Sequence, residues 1–328
     1  MPTITNQYRT TSVLAGVLLF LACTSAPAHA MTFKRVGATM ILSDEVVARD
    51  LDRAKAELKT APAITHVVLR NSMGGNSWTG YRLGELFREH GVSTAVSGHC
   101  VSSCSRLFLG GKQRMFTDDY PASLTYVGFH GHYDFGKLNT QAVEKNDLAR
   151  WTAKFTDGKA DAKLVQRWIN IERRAGDVRF YPNTVKAQWN DASFLCAGTE
   201  SSRPAQCERL ATTALAQGIV TTNQRYASPD AADLPYKLRE ARYPTTAHAT
   251  VNDATKLPNT SPAARKDYQQ FTASAVPRAF AVSSNGKHWA WSGNDNESVE
   301  RAIERCMAKA KANCVLYAVD ERVVYRLP

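Results

Sequence analysis

The chain has little of what several large protein classes require. Its one N-terminal apolar run, Val13 to Cys23, falls short of the roughly 20 residues that cross a bilayer as a helix. No stable membrane anchor is therefore expected. There are no tandem repeats, which sets aside a solenoid. No basic block is interleaved with aromatics, so no nucleic-acid partner is expected despite a net charge of +11. Seven cysteines are few, and none forms Cys-x-x-Cys. Thioredoxin-like chemistry lacks its usual spacing, and a redox-active Cys100-x-x-x-Cys104 is only a runner-up. Zinc held by Cys100, Cys104 and His99 would lack a second well-spaced ligand pair, so no metal and no cofactor are expected.

What is present reads as an exported globular protein. The 328 residues exceed one small core and fit a large domain with a smaller one, and 44% hydrophobic against 22% charged residues is ordinary for a folded chain. Arg9, the apolar run and the small-x-small end Ala28-His29-Ala30 make residues 1–30 a Sec signal peptide cleaved after Ala30. A lipoprotein site at Cys23 is the competing reading. The expected location is periplasmic or secreted. Without Arg9 the charge is +10, spread along the chain, as in a basic protein that can touch anionic envelope surfaces.

Export changes how the cysteines read. Cys100, Cys104, Cys196, Cys207, Cys306 and Cys314 remain, and in an oxidising compartment they imply three disulfides. Fifteen connectivities exist on paper. Sequence-local clustering makes 100–104, 196–207 and 306–314 the simplest.

Along the chain, strand and helix patterns alternate. "GATMILSD" and "ITHVVLRNS" read as strands, the second nearly all apolar, as buried parallel strands are. Between them, Val46, Val47, Leu51, Ala54 and Leu58 form a helical stripe. "SWTGYRLGELFREHG" is a helix stopped by Gly91, "VSTAVSG" a strand, "SSCSRLFLGG" a helix, and "RMF" and "LTYVGFHG" short strands. This order is the signature of parallel β-α-β units. "AVEKNDLARWTAKF" and "AKLVQRWINIERRAG" are amphipathic helices. A disulfide-closed loop, a helix over about 208–216 and a terminal strand follow. Residues 226–264, rich in Pro, Ala, Asp, Thr and Asn, read as a linker. Residues 265–328 read as a small α+β domain: a hairpin turning at Asn285-Gly286, a helix over about 297–310 capped by Asp295 or Asn296, and a last strand. In it, Trp289 and Trp291 read as packing on one sheet face. Trp78 and Tyr81 likewise read as helix-face packing.

The chemistry centres on "VSGHCVSSCSRLFLGG". Ser102 follows a strand and opens a helix, where amides point outward unpaired. The Ser103 N–H is a natural oxyanion donor, and the turn "RNSMGGNSWTG" offers another through Gly74-Gly75, which let backbone approach a ligand. "YVGFHGH" offers His130 as a base, with His132 two residues on. A serine at a helix start is, on its own, more often a cap. "LRNSMGG", "TAVSGHCVSSCSRLFLGG" and "VGFHGH" in this order resemble the ClpP/crotonase superfamily, and more closely its secreted periplasmic ClpP-like members with two cysteines around the nucleophile turn. The resemblance covers residues 37 to about 222. It implies a parallel β-spiral with outer helices over residues 31–225, Ser102 as nucleophile with Gly98 as its glycine, His130 as base, and Gly75 and Ser103 as oxyanion donors. It points to Asp191 as the third member, with Asp177 as the fallback. The chain departs from the family where Ser103, Cys104, Ser105 and Arg106 replace the usual Met-Gly after the nucleophile.

The expectation is an exported serine-type hydrolase acting on an unidentified peptide or protein, with self-association open. The alternative is a non-catalytic binding or assembly protein on a degenerate site. Cys100 and Cys104 flank Ser102, so a disulfide there would brace the backbone that presents the Ser103 amide.

Overall fold

The structure, a computed structural model, describes residues 30–183, 190–201 and 204–326. The expected signal peptide lies outside the described residues except for its last residue, Ala30.

A hairpin of β1 (Thr32–Val36) and β2 (Thr39–Ser43) opens the chain. Then α1 (Asp50–Leu58), β3 (His66–Ser72), α2 (Ser77–Glu89), β4 (Ser93–Val101), α3 (Ser103–Leu109), β5 (Arg114–Thr117) and β6 (Tyr126–Phe129) alternate as the patterning implies. β2, β3, β4 and β6 lie side by side in parallel, and β5 pairs parallel to β4. Val67, Val68 and Leu69 of β3 are fully buried, which is why that strand is apolar on both faces. A small hairpin, β7 (Tyr133–Asp134) and β8 (Lys137–Leu138), leads to the outer helices α4 (Thr140–Lys145), α5 (Leu148–Phe155) and α6 (Ala162–Ile169). The sheet continues through antiparallel β9 (Asp177–Phe180), β10 (Ser193–Cys196) and β11 (Glu208–Arg209), while β12 (Arg225–Tyr226) adds to β5. The result is a mixed α/β fold with a mostly parallel central sheet.

Three local departures have physical causes. The helix expected from about residue 45 starts at Asp50, because Val46 is taken by the turn after β3: its N–H donates to Gly74 O (2.9 Å) and its carbonyl accepts from Asn76 N–H (2.7 Å). The helical run "AVEKNDLARWTAKF" breaks where Asp147 turns left-handed (φ +44°) and caps α5 by accepting from Arg150 N–H. The helix expected over 208–216 does not form. Cys196–Cys207, with Cα atoms 4.7 Å apart, holds Glu208–Arg209 against β10 as an edge strand.

All three disulfides pair as the clustering suggested: Cys100–Cys104, Cys196–Cys207 and Cys306–Cys314. They fit a non-cytoplasmic setting. Among the described residues, no helix is long and apolar enough to cross a membrane.

The segment read as a linker carries α7 (Pro235–Arg242) and the start of α8 (Pro262–Ala273). Beyond it, β13 (Arg278–Ser283), β14 (Trp289–Gly293), α9 (Ser298–Ala310), β15 (Cys314–Val319) and β16 (Arg322–Val323) form a four-stranded antiparallel sheet ordered β14-β13-β15-β16. Trp289 and Trp291 pack on the core of Tyr268, Phe271, Phe280 and Tyr317.

A buried ion cluster ties the end of the first module to the sheet. Arg70 on β3 donates to both carboxylate oxygens of Asp230 (2.8 Å each), to Asp119 (3.3 Å), and to the hydroxyls of Ser97 (2.9 Å) and Ser228 (3.1 Å). Lys34 adds a second cation to Asp230 at 2.9 Å. Removing one member of such a cluster leaves a buried charge unpaired, at a cost of about 3 kcal/mol or more.

Asp230→Ala is therefore expected to lower unfolding stability by about 3 kcal/mol in urea titration. The hydrogen bonds from Arg70, joined by Lys34 and Ser228, hold the Asp230 carboxyl far below the usual carboxylate range. Its contribution is complete above the unfolded carboxylate pKa of about 4 and declines as pH falls below it. Asp230→Asn should flatten the acid side of the stability–pH curve, and an unchanged slope would remove this carboxylate from the account.

Candidate active site

The corner between β4 and α3 sets the geometry. Ser102 sits there at φ +60°, ψ −127°, a backbone conformation that costs a non-glycine residue roughly 1–3 kcal/mol. Three contacts hold it. Ser102 N–H donates to Gly128 O of β6 at 3.1 Å, continuing the β4–β6 ladder by one residue. Cys100 at the end of β4 and Cys104 in the first turn of α3 are bonded across it, with Cα atoms 5.3 Å apart. Gly74, at φ +88°, lies directly over it: a Cβ there would stand 2.6 Å from Val101 O, 2.7 Å from Ser102 Cβ and 2.8 Å from Ser103 N. Only glycine fits that approach.

Ser102, His130, Gly75 and Asp177 line one cleft of about 340 Å³, with Met73, Ser77, Tyr133, Arg174 and Arg179. The backbone N–H groups of Gly75 and Ser103 donate to no other described residue. Ser102 Oγ and His130 share no hydrogen bond in this resting arrangement. His130 Nδ1 lies 2.8 Å from Gly131 O. A carbonyl only accepts, so Nδ1 carries the proton and Nε2 presents its lone pair.

The electrostatics around His130 are cationic. Burial, then the nearby Arg106 and Arg174 guanidinium groups, push its pKa down to about 4. His132 is pushed down to about 3, chiefly by burial, and its ring is bracketed by Tyr81 Oη (2.9 Å) and Ser77 Oγ (3.0 Å). His132 therefore sits behind the cleft wall, between the first turns of α2 and the end of β6. Arg106 is buried beneath, 4.9 Å over the Tyr81 ring, with Nε and Nη1 lacking a partner among the described residues.

The two candidate carboxylates, Asp177 and Asp191, separate cleanly. The β6–β9 ladder ends where Phe129 pairs with Val178, and the next residue on each side, His130 and Asp177, lines the cleft. Asp177 is buried at the cleft and receives Arg179 Nε at 2.8 and 3.0 Å. Asp191 does not line this cleft. It lies past the other end of β9, a four-residue strand about 10 Å long, where its carboxylate accepts from Asn183 Nδ2 at 2.6 Å. The hairpin thus leaves Asp177 at the cleft that His130 lines and Asp191 at its far end.

Several residues escaped the sequence reading. Arg106 and Arg174 carry no motif, and only tertiary packing brings them to His130. Trp78, expected to pack, is 57% exposed on the first turn of α2, while Tyr81 is buried as expected. His99 stacks on Tyr126 with ring centroids 6.0 Å apart, and Cys100 and Cys104 are bonded to each other rather than free as thiolates.

No family model matches the chain. No curated protein matches it either. Among solved structures it is similar to ClpP1 from Listeria monocytogenes, at 12% identity and a TM-score of 0.37, over 58% of this chain and 92% of that one. A single-site mutant of the same protein gives 14% identity and a TM-score of 0.36, over 59% and 94% of the two chains. Overlap of this extent says nothing of chemistry.

Two outcomes are expected from the geometry. Gly74→Ala forces backbone or Ser102 to shift by several tenths of an ångström or more. Covalent labelling of Ser102 by a fluorophosphonate should then fall by about a hundredfold, while Gly91→Ala, at an open surface turn, leaves it within a few-fold. A neutral His130 can accept a proton and a protonated one cannot. The labelling rate should thus stay level from pH 8 down to about 5 and fall only as pH passes through about 4. A midpoint near the ordinary histidine value would refute the cationic, desolvated surroundings.

Proposed function

We propose that this protein is an exported, ClpP/crotonase-like serine hydrolase acting on peptide bonds. The observation that carries the reading is the left-handed Ser102 at a strand-to-helix corner, in one cleft with His130 and beside two unengaged amides. Ser102 Oγ attacks the scissile carbonyl. His130 Nε2 takes the hydroxyl proton and returns it to the leaving amine. The Gly75 and Ser103 N–H groups receive the oxyanion of the tetrahedral intermediate. Gly131 O holds the imidazole in the required tautomer at rest, and Asp177, rather than Asp191, is the carboxylate that lines the cleft with His130.

A binding role on the same cleft is the second reading. It is favoured by one observation, the missing Ser102–His130 hydrogen bond. Serine–histidine pairs often close only on substrate, so the bond's absence at rest does not decide.

Fluorophosphonate labelling of the purified, oxidised protein tests both. Modification mapped to Ser102 by mass spectrometry, abolished in Ser102→Ala and reduced at least a hundredfold in His130→Ala, is the expected outcome. No labelling at concentrations that mark an ordinary serine hydrolase would leave the binding role. Asp177→Asn should lower the labelling rate more than tenfold, and Asp191→Asn should leave it within twofold. The reverse ranking would return the acid's role to Asp191.

A further inference from the structure

The cleft carries charge that the hydrolytic reading does not use. Its lining holds two arginines and one acid. That acid, Asp177, is already engaged by Arg179. Arg174, one turn of chain away, is exposed and has no hydrogen bond or ion pair to any described residue. Behind the same wall, Arg106 is 3% exposed, with two guanidinium nitrogens unpartnered. A buried cation without a counter-ion is costly, and with Arg174 it leaves the cleft with an uncompensated positive field. Both cations are close enough to act on the His130 imidazole. A ligand anion lying beside His130 would thus meet Arg174 directly and Arg106 through the wall.

We infer that Arg174 is the specificity-determining residue of this cleft, taking a carboxylate of the bound peptide. The carboxylate comes either from an acidic side chain near the scissile bond or from a free C-terminus. The inference rests on the reading of this cleft as a peptide site. Arg174 forks toward a carboxylate with two parallel N–H donors, and pairs of that kind are the strong, charge-assisted class. Met73, 65% exposed on the same lining, supplies apolar contact for the peptide's neighbouring residue. The exposed position of Arg174 on the coil before β9 leaves its side chain free to swing onto a ligand without disturbing the core.

The test separates this inference from the hydrolytic one by using the Ser102→Ala protein, in which binding needs no chemistry. Three fluorescein-labelled, alanine-rich octapeptides serve as probes, read by fluorescence anisotropy. One has a central Glu and a C-terminal amide, one a central Gln and an amide, and one a central Gln and a free C-terminus. Binding of either acid-bearing peptide about tenfold tighter than the Gln amide is expected. The arm that shows it identifies the carboxylate's source. Adding Arg174→Gln should erase the difference, and Arg174→Glu should reverse it toward a peptide with a central Lys. Equal binding of all three probes, or a preference that survives Arg174→Gln, overturns the inference. A preference for acid in a protein whose Ser102 never takes the fluorophosphonate would end the hydrolase reading and leave Arg174 its role. Labelling at Ser102 with no preference for acid would do the opposite.

Discussion

The left-handed backbone at Ser102 is the constraint on which the rest of the site depends. A residue with a side chain does not hold φ +60°, ψ −127° unless its surroundings over-determine it. Here the hydrogen bond to Gly128 fixes one side of the corner, the Cys100–Cys104 bond ties its two arms, and Gly74 closes over the top. Each contact comes from a different strand end, so the strain is sustained by the sheet rather than by local sequence. The same corner turns the Ser103 N–H out of the ladder and leaves it unengaged.

Positioning then spreads outward along the sheet. Val46 clamps the Gly74-Gly75 turn by two backbone hydrogen bonds, which shortens the helix that follows it. Arg70, two residues before the end of β3, anchors the strand that carries this turn through Asp119 and Asp230. The chain entering the segment before α7 is thereby fastened to the main sheet at Ser228 and Asp230, and α7 approaches the loop after β5 through Tyr236 on Tyr120 (ring centroids 5.1 Å). Stability and site geometry thus meet on β3, which carries the ion cluster at Arg70 and leads directly into the Gly74-Gly75 turn.

The polarity of the cleft is the second theme. Burial, reinforced by two nearby guanidinium groups, holds the His130 imidazole neutral, at the expense of affinity for its own protonated form. The proposed reaction needs a neutral imidazole first and an imidazolium later, so a cationic wall resists the second state. An anionic substrate would offset that resistance, which links the inferred carboxylate preference to the base's electrostatics rather than leaving it as a separate decoration.

The sequence by itself determined the alternation of strand and helix through β6, the simplest pairing of the six cysteines, and the local motifs at Gly74-Gly75, Ser102 and His130. These are short-range properties: apolar runs, glycines in turns, cysteines four, eleven and eight residues apart. Only the tertiary structure decided which carboxylate lines the cleft with His130, because that depends on the β6–β9 register and on a hairpin that sends Asp177 and Asp191 to opposite ends. It also decided the fate of Glu208, drawn into an edge strand by a disulfide against its helical pattern, and of Val46, drawn out of a helix by the turn it clamps. Arg106 and Arg174 belong to the same class. Their spacing carries no signal, since a charge acquires its role from what the fold places beside it and from what it leaves unpaired.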